Sequence, residues 1–160
     1  DNPPAADKAC EAYAKVLELG GRDRMSLNNY AYALTLKGTP DDIAKAKPLA
    51  EEAYNQAKAE GFPNARQDAY IMDTYGWVLI LTKDTINGMA ILNDAATRSE
   101  LPEIYYHLAE GNLRDNQKEA ADLFAKKALD LISQIEQTGG VVDPSLKTKV
   151  ADVRQRAAAQ

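Results

Sequence analysis

The run YGWVLILT, residues 75–82, is the most apolar stretch of this 160-residue chain, and the period of its surroundings decides the fold. Val78, Leu79 and Ile80 suit a buried strand or a helix equally well, so the window has to be widened to Tyr70–Lys83. Met72, Tyr75, Gly76 and Leu79 then fall at i, i+3, i+4 and i+7, while the adjacent polar pair Asp73 and Thr74 breaks any alternation of period two. The spacing predicts a helix. Tyr75, Gly76 and Leu79 are expected to face a partner helix, with Gly76 small enough for close approach, and Trp77, Ile80 and Leu81 to point to another side.

Composition agrees with helix. Ala, Leu, Asp, Lys and Glu dominate, eight Tyr outnumber two Phe, and Gly and Pro recur as punctuation. The length allows one compact domain or a short repeat array. Net charge is −5 with both signs interspersed, which supplies no electrostatic reason to expect nucleic acid or an anionic membrane as partner. The longest uninterrupted apolar segment, Trp77–Leu81, is far below the roughly 20 residues of a spanning helix. Cys10 is the single cysteine and forms no internal disulfide, so it reads as a small core residue and leaves the compartment open.

Leu19-Gly20-Gly21, Lys37-Gly38-Thr39-Pro40, Glu60-Gly61-Phe62-Pro63, Glu100-Leu101-Pro102 and Thr138-Gly139-Gly140 separate successive helical segments. Eight helices are predicted, at 7–19, 24–37, 42–60, 66–83, 85–98, 102–114, 117–137 and 144–158, the last opened by Asp143 as N-cap before Pro144. Pro48 cannot donate to the carbonyl of Ala44 and is expected to bend or break its segment.

Similar helix lengths and short connections point to a repeat. Leu27-x2-Tyr30-Ala31-x2-Leu34, Met72-x2-Tyr75-Gly76-x2-Leu79 and Tyr105-x2-Leu108-Ala109-x2-Asn112 are followed in phase by Ala46/Ala50/Ala53, Gly88/Leu92/Ala95 and Ala121/Ala125/Ala128. Gly76 to Gly88 and Ala109 to Ala121 are both 12 residues, and Gly76 to Ala109 is 33, whereas Ala31 to Gly76 is 45. On these residues the chain resembles the tetratricopeptide repeat family over 24 to about 135, with three units at 24–60, 66–98 and 102–137. Ala9-x3-Tyr13-x2-Val16 looks like the second helix, 7–19, of a preceding unit, so the chain is expected to be a piece of a longer protein. Asn28-Asn29-Tyr30-Ala31-Tyr32, Asp73-Thr74-Tyr75-Gly76-Trp77 and Tyr106-His107-Leu108-Ala109 are also similar to first helices of bacterial members associated with envelope and exopolysaccharide systems.

The resemblance implies an all-α fold, antiparallel helix-turn-helix repeats stacked as a right-handed superhelix, with first helices lining a concave groove. The segment 144–158 carries Leu146, Val150, Val153 and Ala157 on one face and reads as a capping helix. By helical phase the groove is expected to receive Met25, Asn28, Asn29, Tyr32, Thr35 and Leu36, then Tyr70, Asp73, Thr74, Trp77, Ile80 and Leu81, and last Glu103, Tyr106, His107, Glu110, Leu113 and Arg114. Asn, Tyr and Trp in this pattern suit a protein or peptide partner, since an amide can pair with a backbone and large rings supply rigid contact area. Tyr32, Trp77 and Ile80 packing only between neighbouring first helices is the plain structural alternative. The family's carboxylate clamp is not expected, because Asp73 and Glu110 stand beside its only plausible members, Asn29 and Arg114.

Other roles remain as expectations of a different class: a self-associating homo-oligomer, or a carbohydrate-binding accessory domain with Trp77 and the tyrosines stacking on sugars. An enzyme is not expected. His107 is the single histidine, Cys10 lies far from it in the sequence, no metal-ligand or phosphate-cradle motif occurs, and neither a cofactor nor a metal is called for.

Overall fold

A computed structural model describes residues 3–159. Among them lie eight α-helices and no strand: α1 (Pro3–Glu18), α2 (Arg24–Lys37), α3 (Pro40–Ala59), α4 (Ala65–Leu81), α5 (Thr85–Arg98), α6 (Pro102–Arg114), α7 (Lys118–Gln137) and α8 (Pro144–Ala158). YGWVLILT is the C-terminal half of α4. Predicted and observed bounds agree closely, although α1 starts earlier than residue 7 and α3 starts at Pro40.

Local chemistry explains the helix starts. The Asp23 carboxylate accepts from the amides of Met25 and Ser26, both at 3.0 Å. Thr39 Oγ1 accepts from the amide of Asp42 at 3.1 Å and donates to the Asp42 carboxylate at 2.7 Å, while Pro40 occupies the first turn, where its missing N–H is no loss. At the start of α4 the Asn64 side-chain oxygen accepts from the amide of Gln67 at 3.0 Å, while the Asp68 carboxylate accepts from the amide of Asn64 at 2.6 Å. Asp143 caps α8 by accepting from the amide of Ser145 at 2.9 Å.

The turns repeat with the sequence. Asp84 N–H donates to Leu79 O at 2.9 Å and Lys83 N–H to Ile80 O at 3.1 Å, with Lys83 in the left-handed region. Thirty-three residues on, Gln117 donates to Asn112 O at 2.8 Å and Asn116 to Leu113 O at 3.1 Å, with Asn116 left-handed in turn. The α4–α5 and α6–α7 pairs are therefore two copies of one unit. Gly20-Gly21 and Gly139-Gly140 also match: the amides of Gly21 and Gly140 each donate at 2.9 Å to a carbonyl five residues back. Thus α1 ends as α7 does.

Each helix packs on the next, and α2, α4, α6 and α8 also touch in sequence, whereas α1, α3, α5 and α7 do not touch one another. The fold is an all-α helical repeat solenoid with the even-numbered helices as its inner row. Small residues set the pair spacing. Ala46, Ala50, Ala53 and Ala57 of α3, and Ala121, Ala125 and Ala128 of α7, are all buried. A Cβ on Gly88 would lie 2.6 Å from the Gly76 carbonyl oxygen, and one on Gly76 would lie 2.8 Å from Leu92 Cγ. Only glycine at both positions lets α4 and α5 come this close.

Leu146, Val150 and Val153 of α8 are buried in a cluster with Ala109, Ala125, Ala128 and Ile132. That contact covers the apolar end of the α6–α7 pair. Cys10 is buried with Ala31, Leu34, Ala46 and Val78. No helix among the described residues is long and apolar enough to cross a membrane.

Two local expectations are corrected. Pro48 neither breaks nor ends α3, which runs continuously from Pro40 to Ala59. Ala44 and Pro48 both lie on its exposed side, where water can satisfy the carbonyl that loses its donor. Tyr75 does not turn toward α5. Its ring lies 5.0 Å from that of Tyr54 in α3, so it fills the joint with the preceding unit.

Candidate functional site

The inner row lines two adjoining, solvent-open pockets that share Tyr32 and Glu103 and make the two lobes of one cavity. Its first lobe, about 350 Å³, is lined by Met25, Asn28, Asn29 and Tyr32 of α2, Tyr70, Asp73 and Thr74 of α4, and Glu103 of α6. The second, about 220 Å³, is lined by Tyr32, Thr35 and Leu36, by Trp77, by Glu103, Tyr106 and His107, and by Asp143, Ser145, Leu146 and Lys149. Tyr32 and Glu103 belong to both lobes and form the partition between them. One helical turn separates Asn28 from Tyr32, and Asp73 from Trp77, so each helix presents a residue to each lobe.

A buried polar joint holds α4 to α6 behind this cavity. His107 Nδ1 lies 2.7 Å from Asp73 Oδ1, both side chains being almost wholly buried, which sets the ring tautomer with the proton on Nδ1 facing the carboxylate. The imidazole stacks on Trp77 with centroids 4.5 Å apart and planes 14° from parallel. Arg114 places its guanidinium 5.4 Å from the centre of the Trp77 ring, and Tyr106 lies 6.2 Å from it. Trp77 is therefore both a packing residue between first helices and part of the second lobe's wall.

Charge and burial shape the groups at the partition. The Tyr32 hydroxyl is pushed up to about 12, first by loss of water and then by the negative charges of Asp73, Glu103 and Asp143. Burial likewise raises the Glu103 carboxyl, and Asp73 and Asp143 push in the same direction while His107 opposes them. Tyr106 is raised to about 12 by burial, with Glu110 adding to it and Arg156 and Arg114 opposing. Asn28 is 4% exposed; its Nδ2 donates to Asn29 Oδ1 at 3.3 Å, and its Oδ1 has no partner.

Of the residues expected in the groove, Asn28, Asn29, Tyr32, Tyr70, Asp73, Trp77, Tyr106 and His107 line one or both lobes. Ile80 does not. It is 1% exposed and belongs to the core, because Gly88 and Gly111 leave room for it: added Cβ atoms there would lie 2.7 Å and 2.9 Å from its side chain. Glu110 and Arg114 lie on the inner row but outside both lobes. Glu110 is buried and paired with Arg156 of α8, with Arg114 at 3.8 Å.

Sequence reasoning missed Asp143, Ser145, Leu146 and Lys149. They lie at the start of α8, which the sequence marks as a capping helix, with a partner-binding amphipathic helix as the alternative, but does not place in the groove. The signal was available, since a cap seated next to α6 occupies the first-helix position of a further unit, whose opening turn must face the groove.

Ser145 donates its hydroxyl to Asp143 at 2.9 Å and Thr35 to the carbonyl of Tyr32 at 2.7 Å, so both hydroxyls serve the helix backbone or its cap. What the lobes present is carboxylates, amides, a lysine and ring faces. Compared with protein-family models, with curated proteins and with solved structures, the chain finds no significant match in any of the three.

Proposed function

We propose that the chain is a tetratricopeptide-type, non-catalytic interaction module that holds a segment of a partner protein along its inner row. The single observation carrying this reading is the two-lobed cavity, because its wall draws on α2, α4, α6 and α8 together and so follows the array. Two lobes meeting at Tyr32 and Glu103 suit side chains spaced along one ligand backbone better than one compact small molecule. Asn29 and Tyr70 supply an amide and a ring of the kind that peptide backbones and side chains use. Trp77 is a poor sugar platform, since His107 already covers one of its faces.

Selection of peptides from a random displayed library on the full chain tests the reading. Enriched peptides should bind with 1:1 stoichiometry and lose at least roughly tenfold in affinity on Asn29→Ala or Tyr70→Ala. They should be unaffected by Ile86→Ala, on the exposed side of α5. No enrichment, or binding insensitive to both inner-row changes, would refute it.

A further inference from the structure

The first lobe is acceptor-rich and carries no positive charge of its own. Its wall contains two carboxylates, Asp73 and Glu103, and the carboxamides of Asn28 and Asn29. Asp73 gives only Oδ1 to His107, and no hydrogen bond reaches its Oδ2 among the described residues. Glu103 has no ion pair among the described residues, in an array where most inner and surface acids are paired. Lys149 lines only the second lobe; Arg66 is exposed and outside the wall, but it engages the Tyr70 hydroxyl and its charge also acts on Glu103.

A second, independent observation comes from Asn28. It lines the same lobe, is 4% exposed, and its Oδ1 is a buried acceptor without a donor. Buried acceptors of this kind are uncommon in native proteins and call for a donor supplied from elsewhere. Two carboxylates and an unpaired amide oxygen beside Tyr32 and Tyr70 share one complement. A cation that donates several hydrogen bonds neutralises the acids and lies against the ring faces, and it takes up the Asn28 amide oxygen, which is closed to solvent, once that side chain turns toward the lobe.

Resting on the reading of the groove as a peptide site, we propose that the first lobe receives a basic side chain, the ammonium of lysine or the guanidinium of arginine, from the bound segment. The second lobe, whose wall mixes Leu36, Leu146, Trp77 and Tyr106 with Glu103, Asp143 and Lys149, takes the neighbouring side chain of the same segment.

Nuclear magnetic resonance of the full chain tests this, using the Asn28 carboxamide and the Trp77 indole as reporters of the two lobes. Four probes are titrated: the blocked peptide acetyl-Gly-Gly-Lys-Gly-Phe-amide, its norleucine and glutamate counterparts at the lysine position, and free cadaverine. The lysine peptide is expected to shift the Asn28 signals saturably, and the norleucine and glutamate peptides to bind at least roughly tenfold more weakly. Glu103→Gln is expected to weaken the lysine peptide by a similar factor and to leave the norleucine peptide unchanged, in a protein whose folding is checked by its thermal transition.

Equal binding of lysine and norleucine peptides overturns the cation pocket and leaves the peptide groove standing. Binding of cadaverine without any peptide overturns the side-chain assignment together with the peptide reading. Silence of all four probes at the Asn28 signals also overturns the proposal.

Discussion

Asp73 and His107 lie 34 positions apart in sequence and 2.7 Å apart in space, one first helix reaching the next across the unit boundary. The pair is almost wholly buried and braced by Trp77, so each group loses its main partner if the other is removed. Replacing His107 by Ala strands a buried carboxylate and is expected to cost about 2–4 kcal/mol in urea denaturation. Asp73→Ala should cost less than that, and the double replacement less than the sum, with a coupling of about 1–2 kcal/mol. Additive losses would show that the contact carries no energy.

The helical glycines Gly88 of α5 and Gly111 of α6 are not equivalent. At Gly88 an added methyl meets the backbone oxygen of Gly76 at 2.6 Å, and a backbone atom cannot step aside without moving α4. At Gly111 it meets only side-chain atoms, Met89 Sδ and Ile80 Cδ1, and the flexible Met89 can give way. Gly88→Ala should therefore destabilise the chain by about 2–3 kcal/mol and Gly111→Ala by about 1 kcal/mol or less, both read from chemical denaturation. The reverse order would mean that α4 and α5 slide more easily than Met89 repacks.

The helix boundaries and the pairing were readable because they depend on local signals: Gly and Pro stops, caps, and small residues in phase, 33 positions apart between the second and third units. Helical phase also placed Asn28, Tyr32, Asp73 and His107 on the inner row. It failed where position on a face does not decide depth. Ile80 and Trp77 are three residues apart and share a direction, yet Trp77 meets a cavity and Ile80 meets the space left by Gly88 and Gly111 on two other helices. Tyr75 went to the α3 joint for a similar reason, since Tyr54 offered it a ring. Such outcomes depend on which neighbour is small, and the neighbour is distant in sequence.

Glu103 connects stability to the proposed pocket. Its carboxyl is raised in the folded state by burial first and by Asp73 and Asp143 next, so the folded chain binds this proton more readily than the unfolded chain does. The group contributes its full stability below the ordinary carboxylate range and loses it as pH rises through the raised folded value. Glu103→Gln, which cannot ionise, should melt above the parent at pH 7, and the difference should vanish by about pH 3, where the parent is protonated in both states. Thermal melts at four pH values check this. A variant that is more stable and yet binds the lysine peptide less well would mark Glu103 as kept for recognition rather than for folding. An unchanged or lowered melting temperature at pH 7 would instead mean that its surroundings do not penalise the charge.

At the other end of the array, Val150 is fully buried between Ala109, Ala125 and Ile132 and is a principal contact of α8 with the α6–α7 pair. Val150→Ala removes buried methyl groups and is expected to cost about 2 kcal/mol. In a solenoid stabilised mainly by nearest neighbours the loss should be local. Amide hydrogen exchange should accelerate most in α8, α7 and α6, and little in α1 to α3. Because Asp143, Ser145 and Lys149 line the second lobe, the same change should loosen that lobe while leaving the Asn28 signals near their original positions. Uniform acceleration along the whole chain would show that the array unfolds as one cooperative unit, with α8 as its closing element rather than a local cover.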